Sequence, residues 1–327
     1  MGLRTPLTTM LGIEHPIVLA PMGGVAGGAL AAAVSEGGGL GMVGSGGPDW
    51  LERECALARA GTDKPWGIGL LAWAVDDAVL ERAVAQQPAA IMLSFGDPTP
   101  FTDAVRGAGI PLMIQVTTLP DARRALDLGA DVVVTQGAEA GGHGEGRGTL
   151  PFVPAVVDVA GDTPVLAAGG IADGRGLAAA LVLGAAGAMI GTRFEATHEA
   201  LISAEQGKAI TAAAAADTTR DRVLDIARES PWPRRFTART LRNRFTDTWR
   251  DREDALRFDV NAKAEFRLGV DRADMDYLPI WAGEAVDLIT ELDTATALVR
   301  RISDEAGRAI DAVQREHDPL RPRCDES

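Results

Sequence analysis

The sequence predicts an α/β protein, a (β/α)8 TIM barrel with a mostly helical insertion before its closing helix. Three observations carry this. Eight short apolar runs alternate with helical patterns. Most of those runs lack period-2 alternation, as strands buried on both faces of a parallel sheet should. Glycine-rich turns follow the first, sixth, seventh and eighth runs, and in a barrel these turns share one face. A doubly wound open sheet is the rival architecture, and the count of eight favours closure.

The strands are read at 17–20, 40–43, 66–71, 90–94, 112–116, 131–135, 165–168 and 188–190. Amphipathic stretches at 28–36, 49–60, 76–86, 100–108, 120–128, 153–159 and 176–183 lie between them. The barrel strands thus occupy 1–195. Beyond Phe194 the pattern changes to an arginine-rich stretch with little strand character, read as a helical insertion over 196–281. Helix is expected near 199–216 and 220–226, with a break at Pro231-Trp232-Pro233. The closing helices fill 282–327, one starting near Ala282 and a second running to about Glu316, before a polar tail. The insertion reads as a lid, an interface or simply a cover for the barrel mouth.

Composition narrows the function. The 327 residues carry a net charge of −14 and 46% hydrophobic residues. An acidic surface argues against nucleic acid and anionic membranes as partners. The two cysteines, Cys55 and Cys324, do not suggest a disulfide framework, and no Cys/His cluster suggests zinc. No signal-peptide layout or membrane span is read, so a cytoplasmic location is expected. Oligomeric state is open, a homodimer included.

The chemistry concentrates in the turns. Gln136-Gly137-Ala138-Glu139-Ala140-Gly141-Gly142-His143-Gly144 follows the sixth strand. Glycines there let backbone approach a ligand closely, and a histidine can move a proton near neutral pH. Gly169-Gly170-Ile171-Ala172-Asp173-Gly174 follows the seventh strand and opens a helix; Gly191-Thr192-Arg193 follows the eighth. Together they read as a phosphate site made of backbone amides. Asp173 and Arg175 read as helix-start and solvent residues. Pro21-Met22-Gly23-Gly24 ends the first strand and offers a flat apolar surface to a planar ring. Glycines at 23–28 and 44–47 do not form GxGxxG, which argues against a Rossmann nicotinamide site. Of the other histidines, His15 reads as structural, and His198 and His317 as solvent-facing. Glu139 reads as a loop cap or orienter, and Glu145 and Arg147 as solvated charges.

These residues resemble the nitronate monooxygenase family, FMN-dependent barrels once called 2-nitropropane dioxygenases. The matching blocks are HPIVLAPM at 15–22, QGAEAGGHGEG at 136–146, PVLAAGGIADGRGLAAALVLGAAGAMIGTRFEAT at 164–197 and WAGEAVDLI at 281–289. The resemblance implies FMN, with Pro21 and Met22 by the flavin ring. It implies Gln136, Gly141 and Gly142 at the ring and ribityl chain, and Gly169, Gly170, Gly191 and Thr192 at the phosphate. His143 matches the family's active-site histidine. The implied reaction is oxidation of alkyl nitronates, or nitroalkanes, with O2 to a carbonyl compound and nitrite.

The sequence departs from the family at two points. Many members carry Asn at the end of the third strand, where this chain has Gly69. Some line the pocket with several tyrosines, whereas this chain has only Tyr277, leaving Trp73 or Trp281 as candidates. The alternative is an NAD(P)H-dependent flavin reductase on the same barrel, of the NADH:quinone or enoyl-ACP reductase type. A non-enzymatic flavin-binding protein would need a His143 that touches nothing near the ring.

Overall fold

In the computed structural model, residues 3–316 are described. His317 and Cys324 lie outside them. Eight parallel strands form one sheet: β1 (Ile17–Leu19), β2 (Gly41–Val43), β3 (Trp66–Leu71), β4 (Ala90–Ser94), β5 (Leu112–Val116), β6 (Val132–Gln136), β8 (Val165–Ala168) and β9 (Gly187–Ile190). β1 pairs with β9, and a parallel bridge from Val18 to Leu40 joins β1 to the β2 edge. The sheet therefore closes, and the fold is a TIM barrel. All eight strands fall where the apolar runs predict them.

Each barrel strand is buried on both faces, which is why alternation is weak in the sequence. Val18, Met42, Met92, Val132, Val134, Leu166 and Met189 fill the interior. Their neighbours Ile17, Leu19, Ile68, Ile91, Leu93 and Val133 pack outward on the helices. An N-terminal helix not read from the sequence, α1 (Pro6–Leu11), adds Leu7 and Leu11 to the interior cluster. Thr5 caps it, Pro6 opens it, and Gly12 ends it at φ 65°. Around the barrel run α2 (Gly28–Glu36), α3 (Pro48–Gly61), α4 (Asp77–Ala85), α5 (Thr99–Gly107), α6 (Leu119–Asp127), α7 (Thr149–Ala160) and α8 (Gly174–Val182).

Past β9 a short α9 (Thr192–Glu195) leads to α10 (Ala204–Ala212). Two strands follow where the pattern suggests helix and loop. β10 (Thr218–Asp221) and β11 (Thr237–Leu241) pair antiparallel, and β11 pairs in turn with β7 (Gly142–Gly144). His143 faces Ala238 in this register. The glycine-rich loop is thus the edge of a small sheet, whose partner lies almost a hundred residues downstream. Local composition cannot reveal that pairing. Between these strands lies α11 (Val223–Ala227), followed after β11 by α12 (Arg244–Trp249), α13 (Glu253–Phe258) and α14 (Val260–Asp271). The segment at 284–288 is a 3-10 turn, and the long closing helix α15 begins only at Ala295 and runs to Glu316. Its Leu298, Val299 and Ile302 pack with Leu30, Val34 and Leu177 of α2 and α8. Among the described residues no helix is long and apolar enough to cross a membrane.

Candidate active site

A cavity of about 310 Å³ opens at the C-terminal ends of the barrel strands. Pro21, Met22, Gln136, Gly141, Gly142, His143, Gly169, Gly170, Gly191 and Thr192 all line it. Four loops separated by up to 171 positions in sequence converge there, as the barrel topology requires. Neither His15 nor His198 reaches the cavity.

Position 69 is explained by Pro21. A Cβ on Gly69 would sit 2.2 Å from Pro21 Cβ and 2.3 Å from its Cγ. The proline ring fills the space a side chain at the third strand would take, so no Asn fits there without moving the first loop.

The glycine turns keep backbone donors open. Gly169 and Gly170 lie at φ 100° and 73°, a region that L-residues avoid. The amides of Gly170 and Ile171 reach no backbone acceptor among the described residues. The first-turn amides of Thr192 and Arg193 have no intrahelical acceptor. Thr192 Oγ1 accepts from Gly283 N–H at 3.0 Å, tying this turn to the loop before α15. Glu139 caps rather than lines the cavity: its carboxylate accepts from Thr149 N–H at 2.9 Å and Thr149 Oγ1 at 2.9 Å. Asp173 caps α8 and pairs with Arg175, away from any ligand role. Glu145 is held rather than free, accepting from Thr117 Oγ1 at 2.6 Å.

Among the described residues two buried side-chain amide atoms that line the cavity lack partners. Gln136 Nε2 donates to His143 O at 2.9 Å, while its Oε1 has no hydrogen bond. Gln115 Nε2 is also unpaired, and both side chains line the cavity. Each orphan costs on the order of 1–3 kcal/mol unless a ligand or water supplies the missing bond.

His143 is 8% exposed and is held at Nε2 and on one ring face. Its Nε2 lies 2.9 Å from Asp225 Oδ2 and 3.1 Å from Oδ1. Arg228 donates to Asp225 Oδ1 at 2.9 Å, pinning the carboxylate from behind. Trp232 stacks on the imidazole with centroids 3.6 Å apart and planes 6° from parallel. Trp232 in turn packs on Trp73, Phe95 and Phe236, and the Arg228 guanidinium lies over Trp281. Burial lowers the His143 pKa below 6.5, more than Asp225 raises it. The imidazole is therefore neutral at pH 7. With Asp225 accepting at Nε2, the proton belongs on Nε2 and the lone pair on Nδ1. An Asp–His pair of this kind fixes tautomer and ring orientation.

Asp225, Arg228 and Trp232 were not foreseen from the sequence. A carboxylate inside the apolar run Val223-Leu224-Asp225-Ile226-Ala227 was the available signal, because an unpaired Asp is rarely buried. Trp281, foreseen as a pocket residue, lines the cavity, and Trp73 supports Trp232 from behind.

The chain is similar to known proteins in sequence and in fold. The family profile described as Nitronate monooxygenase matches residues 4–86 and 72–305. A nitronate monooxygenase of Neurospora crassa is 33% identical, with 92% of each chain covered. A protein of Rhodococcus jostii named as a hydroxy-methyl-oxo-octahydro-indene-carboxyl-CoA dehydrogenase is 36% identical over 68% of this chain, which spans only 64% of that protein. Among solved structures, FabK from Thermotoga maritima superposes with a TM-score of 0.85 at 30% identity, covering 96% of this chain and 99% of its own.

Proposed function

Because the chain belongs to the nitronate monooxygenase family, we propose that it binds FMN in this cavity and oxidises alkyl nitronates, and neutral nitroalkanes, with O2. The observation that carries the reading is the neutral, carboxylate-held His143 on the wall of a cavity that also gathers two glycine turns with open amides. The residues fit a flavin. Open amides at Gly170 and Ile171 suit a phosphate, Pro21 and Met22 offer an apolar wall to a planar ring, and Gln136 Oε1 and Gln115 Nε2 await polar partners. In this reading Gly169, Gly170, Gly191 and Thr192 hold the phosphate, and Gln136, Gly141 and Gly142 contact ring and ribityl chain.

Held by the glycine turns and the Pro21–Met22 wall, a flavin would supply the redox chemistry that links nitronate oxidation to a carbonyl compound and nitrite with reduction of O2. The chain's own residues do the rest. His143 Nδ1 accepts the α-proton of a neutral nitroalkane, and Asp225 stabilises the imidazolium that forms. A nitronate, already deprotonated, needs no base, and the lone pair on Nδ1 offers it no hydrogen bond. Trp232 and Trp281 cover the site and limit water around the reacting atoms.

Aerobic assay of the yellow protein tests this: nitrite release matched to O2 uptake is expected with a nitronate, and O2 uptake without nitrite would contradict it. A second reading, an NAD(P)H-dependent flavin reductase on the same barrel, shares with the Rhodococcus jostii relative, named as a dehydrogenase, a reaction that does not release nitrite.

Two variants probe the surroundings of His143. Asp225→Asn removes the group that raises the His143 pKa. The imidazole pKa then falls further, so the acid limb of the rate profile should move to lower pH. Turnover should drop roughly 10–100-fold as the ring loses its orientation, the range seen when a partner that orients a histidine is removed. An unmoved acid limb would separate Asp225 from the chemistry. Trp232→Ala removes a stacked ring and should raise turnover of branched nitronates relative to small ones. It should also raise KM for small ones roughly tenfold, since an aromatic pair contributes about 0.5–1.5 kcal/mol. Unchanged substrate selectivity would show that Trp232 does not shape the pocket.

A further inference from the structure

One cavity-lining group is unused by the chemistry above. Glu195, the last residue of α9, is 1% exposed, and its Oε2 has no hydrogen-bond partner. It lies one turn beyond Gly191 and Thr192 on the same helical face, and helical side chains lean back toward the N-terminus. Glu195 lines the same cavity as Gly191 and Thr192 of the turn assigned to the phosphate.

The charges around it sharpen the question. Arg193, on the same helix, is turned to the carbonyls of Ala196 and Glu291. From the loop after β8, Asp173 pairs with Arg175. From the loop before α15, Glu284 pairs with Arg239, and Asp287 accepts from Ala215 N–H. The loop after β1 presents only apolar and glycine residues to the cavity. Arg228, beside His143, is the one Arg or Lys among the lining residues. Among the described residues no Arg or Lys lines the cavity at the phosphate end, and the buried carboxyl has no salt-bridge partner to keep it ionised.

We propose that Glu195 stands in the cavity as a neutral carboxylic acid and donates its proton in a hydrogen bond to the phosphate monoester of the bound mononucleotide. This rests on the FMN reading above. A neutral acid adds a donor to the backbone amides without adding a charge. Once ionised it would repel the phosphate. Burial alone pushes the Glu195 pKa to about 8, and a neighbouring dianion raises it further. Below that value the group enters the complex already protonated. Above it, binding must take up a proton, so affinity falls with rising pH, by up to about tenfold per unit.

The test is dissociation of flavin from the loaded protein on dilution, followed by flavin fluorescence from pH 6.5 to 9.5, with FMN and with riboflavin. In the wild type, FMN affinity should weaken above about pH 8, while riboflavin, lacking the phosphate, should show no such change. Glu195→Gln keeps a neutral donor and should hold FMN with a flat profile. Glu195→Leu should lose roughly tenfold in FMN affinity relative to riboflavin, as one hydrogen bond to a charged group would. Identical FMN profiles in wild type and Glu195→Gln, with both binding FMN, would overturn the proposal while leaving the FMN site standing. Failure of both flavins to bind would remove the FMN reading and the proposal together. If the Leu variant does not fold, the Gln comparison alone decides.

Discussion

His143→Ala is expected to retain the bound flavin spectrum and to oxidise neutral nitroalkanes about 10²–10⁴-fold more slowly, the usual worth of a positioned general base. The loss should be smaller for a preformed nitronate, which has no α-proton to surrender. This difference follows from the tautomer: Asp225 occupies Nε2, so Nδ1 is a lone pair and not a donor. Equal losses on both substrates would instead make His143 a hydrogen-bond donor to the nitro oxygens. Undiminished turnover on both would remove it from the mechanism. The substitution also leaves Asp225 with Arg228 alone and strips the stacked face of Trp232. A thermal melt should accompany the assay, since a buried carboxylate that loses one partner costs about 1–3 kcal/mol.

Gly191→Ala should fold normally and lose about 10–100-fold in FMN affinity, measured by fluorescence on release of the flavin. A Cβ at this position would meet Met22 Sδ at 3.4 Å and Ala20 Cβ at 3.5 Å, ordinary contact distances. The protein therefore has room for the methyl, which would crowd a phosphate held at the Gly191–Thr192 turn as proposed. Overpacking of this kind costs about 1–3 kcal/mol, which sets the fold-change. Gly169 makes a poorer probe: a Cβ there would lie 3.0 Å from Ala140 N, and the residue sits at φ 100°, so its substitution disturbs the loop itself. Unchanged FMN affinity in Gly191→Ala would move the phosphate away from this turn.

The barrel was legible because its signals are local. Each strand is a short run of residues such as Val132-Val133-Val134, buried on both faces, and each glycine turn marks a strand's C-terminal end. Once eight such units close, the fold itself brings the turns together. The ten candidate residues therefore share one cavity although nothing in their spacing says so. What was not legible depends on long-range pairing. The Ala238–His143 register joins positions 95 apart, and Asp225 reaches His143 across 82. The helix expected from Arg220 to Ile226 begins on a strand because the alternation over Thr218–Asp221 spans only four residues, too few to separate from a helical turn. Trp232 lay in a Pro-flanked break that marks a loop but not its direction. Glu195 carries no signal of its own inside the block Gly191-Thr192-Arg193-Phe194-Glu195, because only its burial sets it apart from an ordinary solvent-facing acid.

The most direct test is anaerobic mixing of the purified yellow protein with propionate 3-nitronate, and separately with NADH, followed by visible absorbance. The account predicts rapid loss of the oxidised flavin spectrum with the nitronate and none with NADH. Bleaching by NADH with no response to the nitronate would contradict it and make this chain a reductase on the same barrel.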